Sequence, residues 1–168
     1  FLTEVPPAQV APSNFYRNQG DALAAVNAAY ATFVNLQGQS SSNYVGRNLY
    51  MLVEYPTETV TSRLSATNER SLIGNFHPQF GAVHPYLATV WNAAYAGINR
   101  ANSVLARVPD VEMNPTRRDQ ILGEAKFLRA MHYYWLAGLF GGVPLKLDET
   151  QSIETEPMAR ATAAETYA

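Results

Sequence analysis

The chain has 168 residues, 47% of them apolar and 15% charged, with a formal net charge of −2. That length suits one domain or one large piece of a bigger one, and the composition excludes a disordered charged tail. A −2 chain supplies no bulk field for nucleic acid, and zero cysteines exclude disulfides, thiolate metal sites and Cys nucleophiles together.

Residues 1–19 carry Pro6, Pro7 and Pro12, so an extended arm is expected there. Residues 21–36 read as a helix with Asp21 as N-cap. Leu23, Val26, Tyr30 and Phe33 form its apolar stripe. Ser40–Asn43 is a polar loop. Asn48–Tyr55 reads as a short helix that stops before Pro56. Residues 40–83 are otherwise expected to be irregular and to face ligand or partner, because Thr57–Asn75 sustains no period.

The periodicity sharpens after residue 84. Leu87, Trp91, Ala94, Ile98, Ala101 and Leu105 predict a helix over 84–107. Asn114 as N-cap and Pro115 at the first helical position open a second helix, which runs to about Phe140. Its stripe is Ile121, Ala125, Leu128, His132, Trp135 and Leu139. Phe127, Ala130, Met131 and Tyr134 add a second apolar face, so this helix is expected to be buried nearly all round. Gly141-Gly142 ends it, and Val143–Leu147 reads as extended. Residues 148–160 form a polar loop. Thr162-Ala163-Ala164-Glu165 is a capping box that announces a further helix with only three residues left. A helix that short does not stand alone, so the sequence reads as cut at the start of its next element.

No catalytic constellation emerges. The phosphate-loop, dinucleotide, nucleophile-elbow and zincin patterns are all missing, so no cofactor is expected. His77 and His84 lack an acidic partner at ligand spacing, and no metal site is read there. His132 reads as a core histidine. Glu54 and Glu58 would share a helix face, but Pro56 lies between them and undoes a paired-acid site. Glu124 and Arg129 stand about 140° apart on their helix. Each therefore needs a partner from another element, with Asn99, Arg100 and Asn102 as candidates for a structural polar network. Tyr44, Tyr50, Tyr55 and Phe76 flank the irregular region. They read as anchors for that loop, with a sugar-stacking surface as the alternative.

Residues 124–145 read Glu-Ala-Lys-Phe-Leu-Arg-Ala and then Met-His-Tyr-Tyr-Trp-Leu-Ala-Gly-Leu-Phe-Gly-Gly-Val-Pro-Leu. This resembles the signature helix and closing aromatic-Gly-x-Val-Pro turn of the SusD/RagB family of surface nutrient-binding lipoproteins. Phe1–Pro6 is similar to the segment after the family's lipid-bearing Cys, Asp21–Tyr30 to its first helix, and Trp91–Asn102 to its second. The four matches stand in family order along essentially the whole chain. The family is much longer, so the resemblance implies the N-terminal part of such a protein.

The resemblance implies an all-α fold, a tetratricopeptide-like α-superhelix with long irregular loops, and no catalysis. It implies an oligosaccharide or peptide ligand and a TonB-dependent, SusC-like transporter as partner, with the remainder of the same chain packed alongside. The expected location is the outer face of the outer membrane, anchored by a lipidated Cys preceding Phe1. Part of the family's glycan site lies just before the Trp-containing helix. In this sequence that stretch offers Arg63, Asn68, Glu69 and Arg70 but no aromatic platform between Arg63 and Ile73. A stand-alone helical-repeat module that binds other proteins is the alternative. The division into scaffold and loop predicts ~3–5 kcal/mol for Trp135→Ala and nearly nothing for Asn68→Ala.

Overall fold

The computed structural model describes residues 15–33, 44–60, 63, 68–74, 80–82, 84–150 and 158–168. The described residues are helical and include no strand, as the periodicity predicts. In chain order the helices are α1 (Gln19–Tyr30), a π-helical turn (Tyr44–Leu49), α2 (Tyr50–Glu54), α3 (Glu69–Gly74), α4 (Pro85–Arg107), a 3₁₀ turn (Val108–Asp110), α5 (Pro115–Phe140) and α6 (Ala163–Tyr167). They fall into two compact units. One comprises residues 1–29 and 97–168, the other residues 30–96.

In the first unit, α1 begins two residues earlier than expected. Asn18, not Asp21, is its cap: Asn18 Oδ1 accepts from the Asp21 amide at 3.1 Å, and Asp21 Oδ2 accepts from the Arg17 amide at 2.8 Å. The helix stops at Tyr30 rather than residue 36. Its buried face is Ala22, Ala25, Val26 and Ala29, whereas Leu23 is half-buried and Tyr30 exposed. Arg100 Nη1 reaches the Ala28 carbonyl at 2.9 Å. Of the expected arm over 1–19, residues 1–14 lie outside the described residues and Gln19 already belongs to α1; the loop at 40–43 lies outside them too.

Helices α4 and α5 keep their predicted bounds, but their buried faces shift. Along α4 the buried positions are Tyr86, Val90, Ala94, Ile98, Ala101 and Val104, so Leu87, Trp91 and Leu105 sit at the edge of the stripe. Along α5 the buried residues are Ile121, Ala125, Leu128, His132, Tyr133, Leu136 and Ala137. The expectation of an all-round buried α5 is wrong among the described residues. Phe127 is 61% exposed, Tyr134 56% exposed, and Ala130 is exposed as well. A pattern of apolar residues cannot tell a covered face from an uncovered one.

The tightest helix contact is at Gly97. A Cβ placed there would overlap the imidazole of His132, which is itself 0% exposed. Glycine lets α4 present bare backbone to that ring. At the other end of α5, Asn114 Oδ1 caps the Arg117 amide at 3.0 Å, as predicted. Gly141 ends the helix at φ 70°, a left-handed conformation that favours glycine. Arg160 donates to the carbonyls of Gly142 and Phe140, satisfying the frayed end. The Ala161 amide donates to the Val143 carbonyl at 3.1 Å, and Gly142 lies so close to the Ala161 carbonyl that a Cβ would overlap it. Thr162 and Glu165 form the predicted capping box.

Polar side chains fasten the segment after α5 to the helices. Asn102 Nδ2 donates to the Lys146 and Asp148 carbonyls at 2.9 and 3.0 Å, and Asn102 Oδ1 accepts from Arg129 at 2.8 Å. Asn99 Oδ1 accepts from the Thr150 amide, and Tyr133 Oη donates to the Lys146 carbonyl. The predicted network around Arg129 is therefore present and structural. Glu124 takes its partner from its own helix instead, in an ion pair with Arg117 at 2.8 Å. Arg107 grips both carboxylate oxygens of Glu149, and its guanidinium lies 5.9 Å from the centre of the Tyr16 ring. Tyr16 itself holds a left-handed backbone at φ 68°, uncommon for a residue with a Cβ. Burial raises the pKa of its phenol, the Glu149 charge adds to the rise, and Arg107 opposes both.

In the second unit the described residues of the 40–83 region are more helical than expected. The π-helical turn runs into α2, which ends at Glu54, and the Thr57 hydroxyl closes that end on the Glu54 carbonyl at 2.6 Å. Helix α3 was not expected at all. It is one and a half turns long, too short to display a period. Its signals are Asn68 directly before it and the buried trio Ser71, Leu72 and Ile73.

These placements narrow the stability contrast read from the sequence. Trp135 is only half-buried, so Trp135→Ala should fall below the ~3–5 kcal/mol of a buried aromatic. Asn68 Oδ1 accepts from the Arg70 amide at 3.1 Å and caps α3. Asn68→Ala should then cost about 1 kcal/mol, measurable as a lower urea midpoint at constant slope. An unchanged midpoint would mean that the cap does no work.

Candidate functional site

The candidate residues before α4 scatter in the structure. Arg63 is exposed. Asn68 spends its carbonyl oxygen on the α3 cap. Glu69 opens α3, and its side chain lies outside the described set. Among the described side chains of the four, Arg70 joins a cluster. Its Nε donates to Tyr86 Oη at 3.3 Å, and Arg47 Nη2 donates to the same oxygen at 3.4 Å. The Arg47 guanidinium carbon lies 5.4 Å from the centre of the Tyr86 ring, a cation–π contact.

Four elements build this cluster. The π-helical turn presents Arg47, and α3 presents Arg70 one position after its first residue. The first turn of α4 presents Tyr86, 6% exposed. The segment before α4 brings His84 beside Tyr86, with ring centres 5.3 Å apart, and Phe80 lies 4.9 Å from His84. His84 Nδ1 accepts from the Tyr86 amide at 3.3 Å, which is a structural role. His77 lies outside the described residues, and no group of three metal-ligating side chains occurs among the described ones. Next to Arg47, Asn48 is 1% exposed and neither end of its amide has a hydrogen-bond partner. Reading the sequence missed Arg47, Asn48 and Tyr86. They sit 16 to 23 positions from Arg70, and only the fold joins them.

A concave feature lies in the first unit, between α5 and α6. It is a groove of about 500 Å³ lined by Arg129, Tyr133, Tyr134, Leu147, Glu165 and Tyr167, among others. Tyr134 and Tyr167 meet edge to face with centres 6.2 Å apart. Much of its polar chemistry is already committed. Arg129 holds Asn102 and the Leu147 carbonyl, Tyr133 holds the Lys146 carbonyl, and Glu165 serves the α6 cap. Hydrogen bonds from the Thr162 amide and hydroxyl lower the Glu165 pKa. The strongly shifted histidine, His132, is buried in the α4–α5 contact, away from the groove lining. Glu54 ends α2 while Glu58 lies beyond it, so the paired-acid arrangement is not formed on one helix.

The family model described as starch-binding, associating with outer membrane, of SusD-like type, matches residues 36–168. SusD-like protein P2 of Formosa agariphila is 27% identical over 144 residues, which cover 85% of this chain and 27% of that relative. A SusD superfamily protein of Bacteroides vulgatus superposes with a TM-score of 0.78 at 20% identity, over 92% of this chain and 32% of its own. A laminarin-binding SusD-like protein superposes at 0.74 with 25% identity, over 90% of this chain and 32% of its own. The chain thus spans about a quarter to a third of the length of these relatives. With the family model matched from residue 36 to the last residue and the helices in the same fold, the chain belongs to the SusD/RagB family.

Proposed function

We propose that this chain contributes to a carbohydrate-binding protein of the outer-membrane surface, which passes its ligand to a TonB-dependent transporter and performs no chemistry on it. The match to the starch-binding SusD-like family carries this reading, and the laminarin-binding neighbour supports it. A lipid anchor on the N-terminal side belongs to the same proposal. Within the chain, Arg47, Arg70 and Tyr86 form the ligand-facing cluster, with the half-buried guanidiniums offering N–H donors to sugar oxygens. Arg63 and Glu69 are proposed to border it from the same stretch of sequence.

The test is electrophoresis of the chain through gels containing starch, laminarin or other polysaccharides. At least one polysaccharide should retard it, and Arg70→Ala should weaken that retardation by about tenfold in apparent affinity, the loss of one charge-assisted hydrogen bond or two. No new reducing ends should form on incubation. Reducing ends would turn the protein into a glycoside hydrolase. Free migration in every gel would count against carbohydrate binding by this part of the protein. A peptide ligand, or a helical module that docks on another polypeptide, is the second reading. The exposed Phe127 and Tyr134 on α5 favour the docking form of it.

A further inference from the structure

The groove between α5 and α6 keeps three polar groups in reserve while its other polar side chains serve the fold. Among the described residues, no hydrogen bond engages the hydroxyls of Tyr134 and Tyr167 or the ammonium of Lys126. All three residues are exposed, the two tyrosines at 56% each. Lys126, Ala130 and Tyr134 follow at four-residue spacing on successive turns of α5 and span about 12 Å of it. Ala130 carries only a methyl group, so the surface between the two long side chains stays open. Tyr167 enters from α6. Its ring is inclined at 66° to that of Tyr134, and its hydroxyl lies 4.0 Å from where a Cβ on Gly138 would stand. Leu147, 54% exposed, adds apolar surface.

Two tilted aromatic rings with free hydroxyls at their tips make an amphipathic cradle. The apolar face of a helix fits it poorly, because burial against hydrocarbon would leave those hydroxyls and the Lys126 ammonium without partners. A pyranose ring suits both halves. Its C–H faces pack on the aromatic rings, and its hydroxyls, each a donor and an acceptor, meet phenolic hydroxyls that are also both. The lining carries charges of both signs, Lys126 and Arg129 against Glu165, so it offers no clear attraction to a charged sugar. Its volume of about 500 Å³ lies in the range of small-ligand sites, ~300–1,000 Å³. We propose that this groove binds neutral sugar rings, as a carbohydrate site separate from the Arg47–Tyr86–Arg70 cluster. The proposal rests on the carbohydrate-binding reading above and adds a site to it.

The experiment combines calorimetry with an acetylation footprint, using maltohexaose, laminarihexaose and cellohexaose as probes. At least one of the three should give binding heat and slow the acetylation of Lys126, followed by mass spectrometry. Lys146, which does not line the groove, should react at an unchanged rate and serves as the internal reference. The sugar concentration for half protection should rise about tenfold in Tyr134→Ala and in Tyr167→Ala, the loss of one stacked ring. Tyr134→Phe keeps the ring and should stay within about threefold of the unaltered protein. Arg70→Ala alters the other site and should leave the protection of Lys126 in place. The footprint on the unaltered protein tests the same point, should a variant fail to fold.

Binding heat without protection of Lys126 overturns the groove site and leaves the carbohydrate reading standing. So does protection that neither alanine change weakens. An amphipathic helical peptide of Leu and Glu is the control for polypeptide docking. Protection of Lys126 by that peptide at a lower concentration than any of the sugars overturns the sugar assignment. Neither heat nor protection with any of the three sugars overturns the groove site together with the reading it rests on.

Discussion

Gly97→Ala should destabilise the protein by about 2 kcal/mol or more, against the sign that helix propensity gives. Alanine is favoured over glycine in a helix interior by ~1 kcal/mol, and Gly97 lies deep inside α4. The added Cβ would nevertheless overlap three atoms of the His132 ring. That ring is 0% exposed, so it has no open space to swing into. Overpacking of this kind costs ~1–3 kcal/mol and more where backbone must shift. For a chain of this size the expected fall in melting temperature is about 5 °C. The pair Gly97→Ala/His132→Ala should be less destabilised than the two single changes added together, because the second change removes the ring that the first one strikes. A melting temperature that rises in Gly97→Ala would mean that α4 and α5 are farther apart there than the structure has them.

The second large effect is acid sensitivity at the same contact. Burial lowers the pKa of the His132 imidazole from 6.5 to about 4. The unfolded chain then binds a proton at His132 in a range where the folded protein does not. Stability contributed by this residue is complete above about pH 6.5 and declines as pH falls towards 4. The full loss is about 3 kcal/mol. Urea unfolding of the protein and of His132→Leu at intervals from pH 4 to 7 isolates this contribution, since the carboxylates are common to both. The difference in unfolding free energy should shrink steadily as pH falls through that window. A constant difference would place the imidazole in water.

Much of this architecture is legible in the residues because its signals are local. The caps at Asn114 and Thr162, the stop at Gly141 and the lengths of α4 and α5 follow from hydrogen-bonding capacity and φ preference within a few positions. Faces were harder. The expected stripe of α4 began at Leu87 and Trp91, but the core took Tyr86 and Val90, one position away. A hydrophobic residue is written into the sequence, whereas the element that covers it is not. Phe127 and Tyr134 show the same limit on α5. Helix α3 escaped notice because one and a half turns hold too few residues to show a period, and its cap at Asn68 looked like a ligand-binding side chain instead.

The candidate site was legible only in part for a related reason. Arg70 stands in the stretch that the family resemblance indicated, but its companions come from the π-helical turn and from α4. Nothing in the order of residues joins Arg47 to Tyr86. The polar network around Asn102 was easier to anticipate, since Arg129 on a buried helix face demanded a partner from another element. Glu124 shows the failure of that reasoning where a long side chain reaches two turns along its own helix to Arg117.

Ten of the twelve basic residues are arginine, and four of them are fasteners: Arg100 on a carbonyl of α1, Arg107 on Glu149, Arg129 on Asn102, Arg160 on the end of α5. Side-chain amines are confined to Lys126 and Lys146. Reagents that acylate amines should therefore leave the fastenings intact. Their reach on side chains is narrow: Lys126 is exposed and lines the groove between α5 and α6, and Lys146 is half-buried. Attachment of the protein to a sensor surface through Lys126 would therefore blunt that groove, because one of its own lining side chains would carry the link.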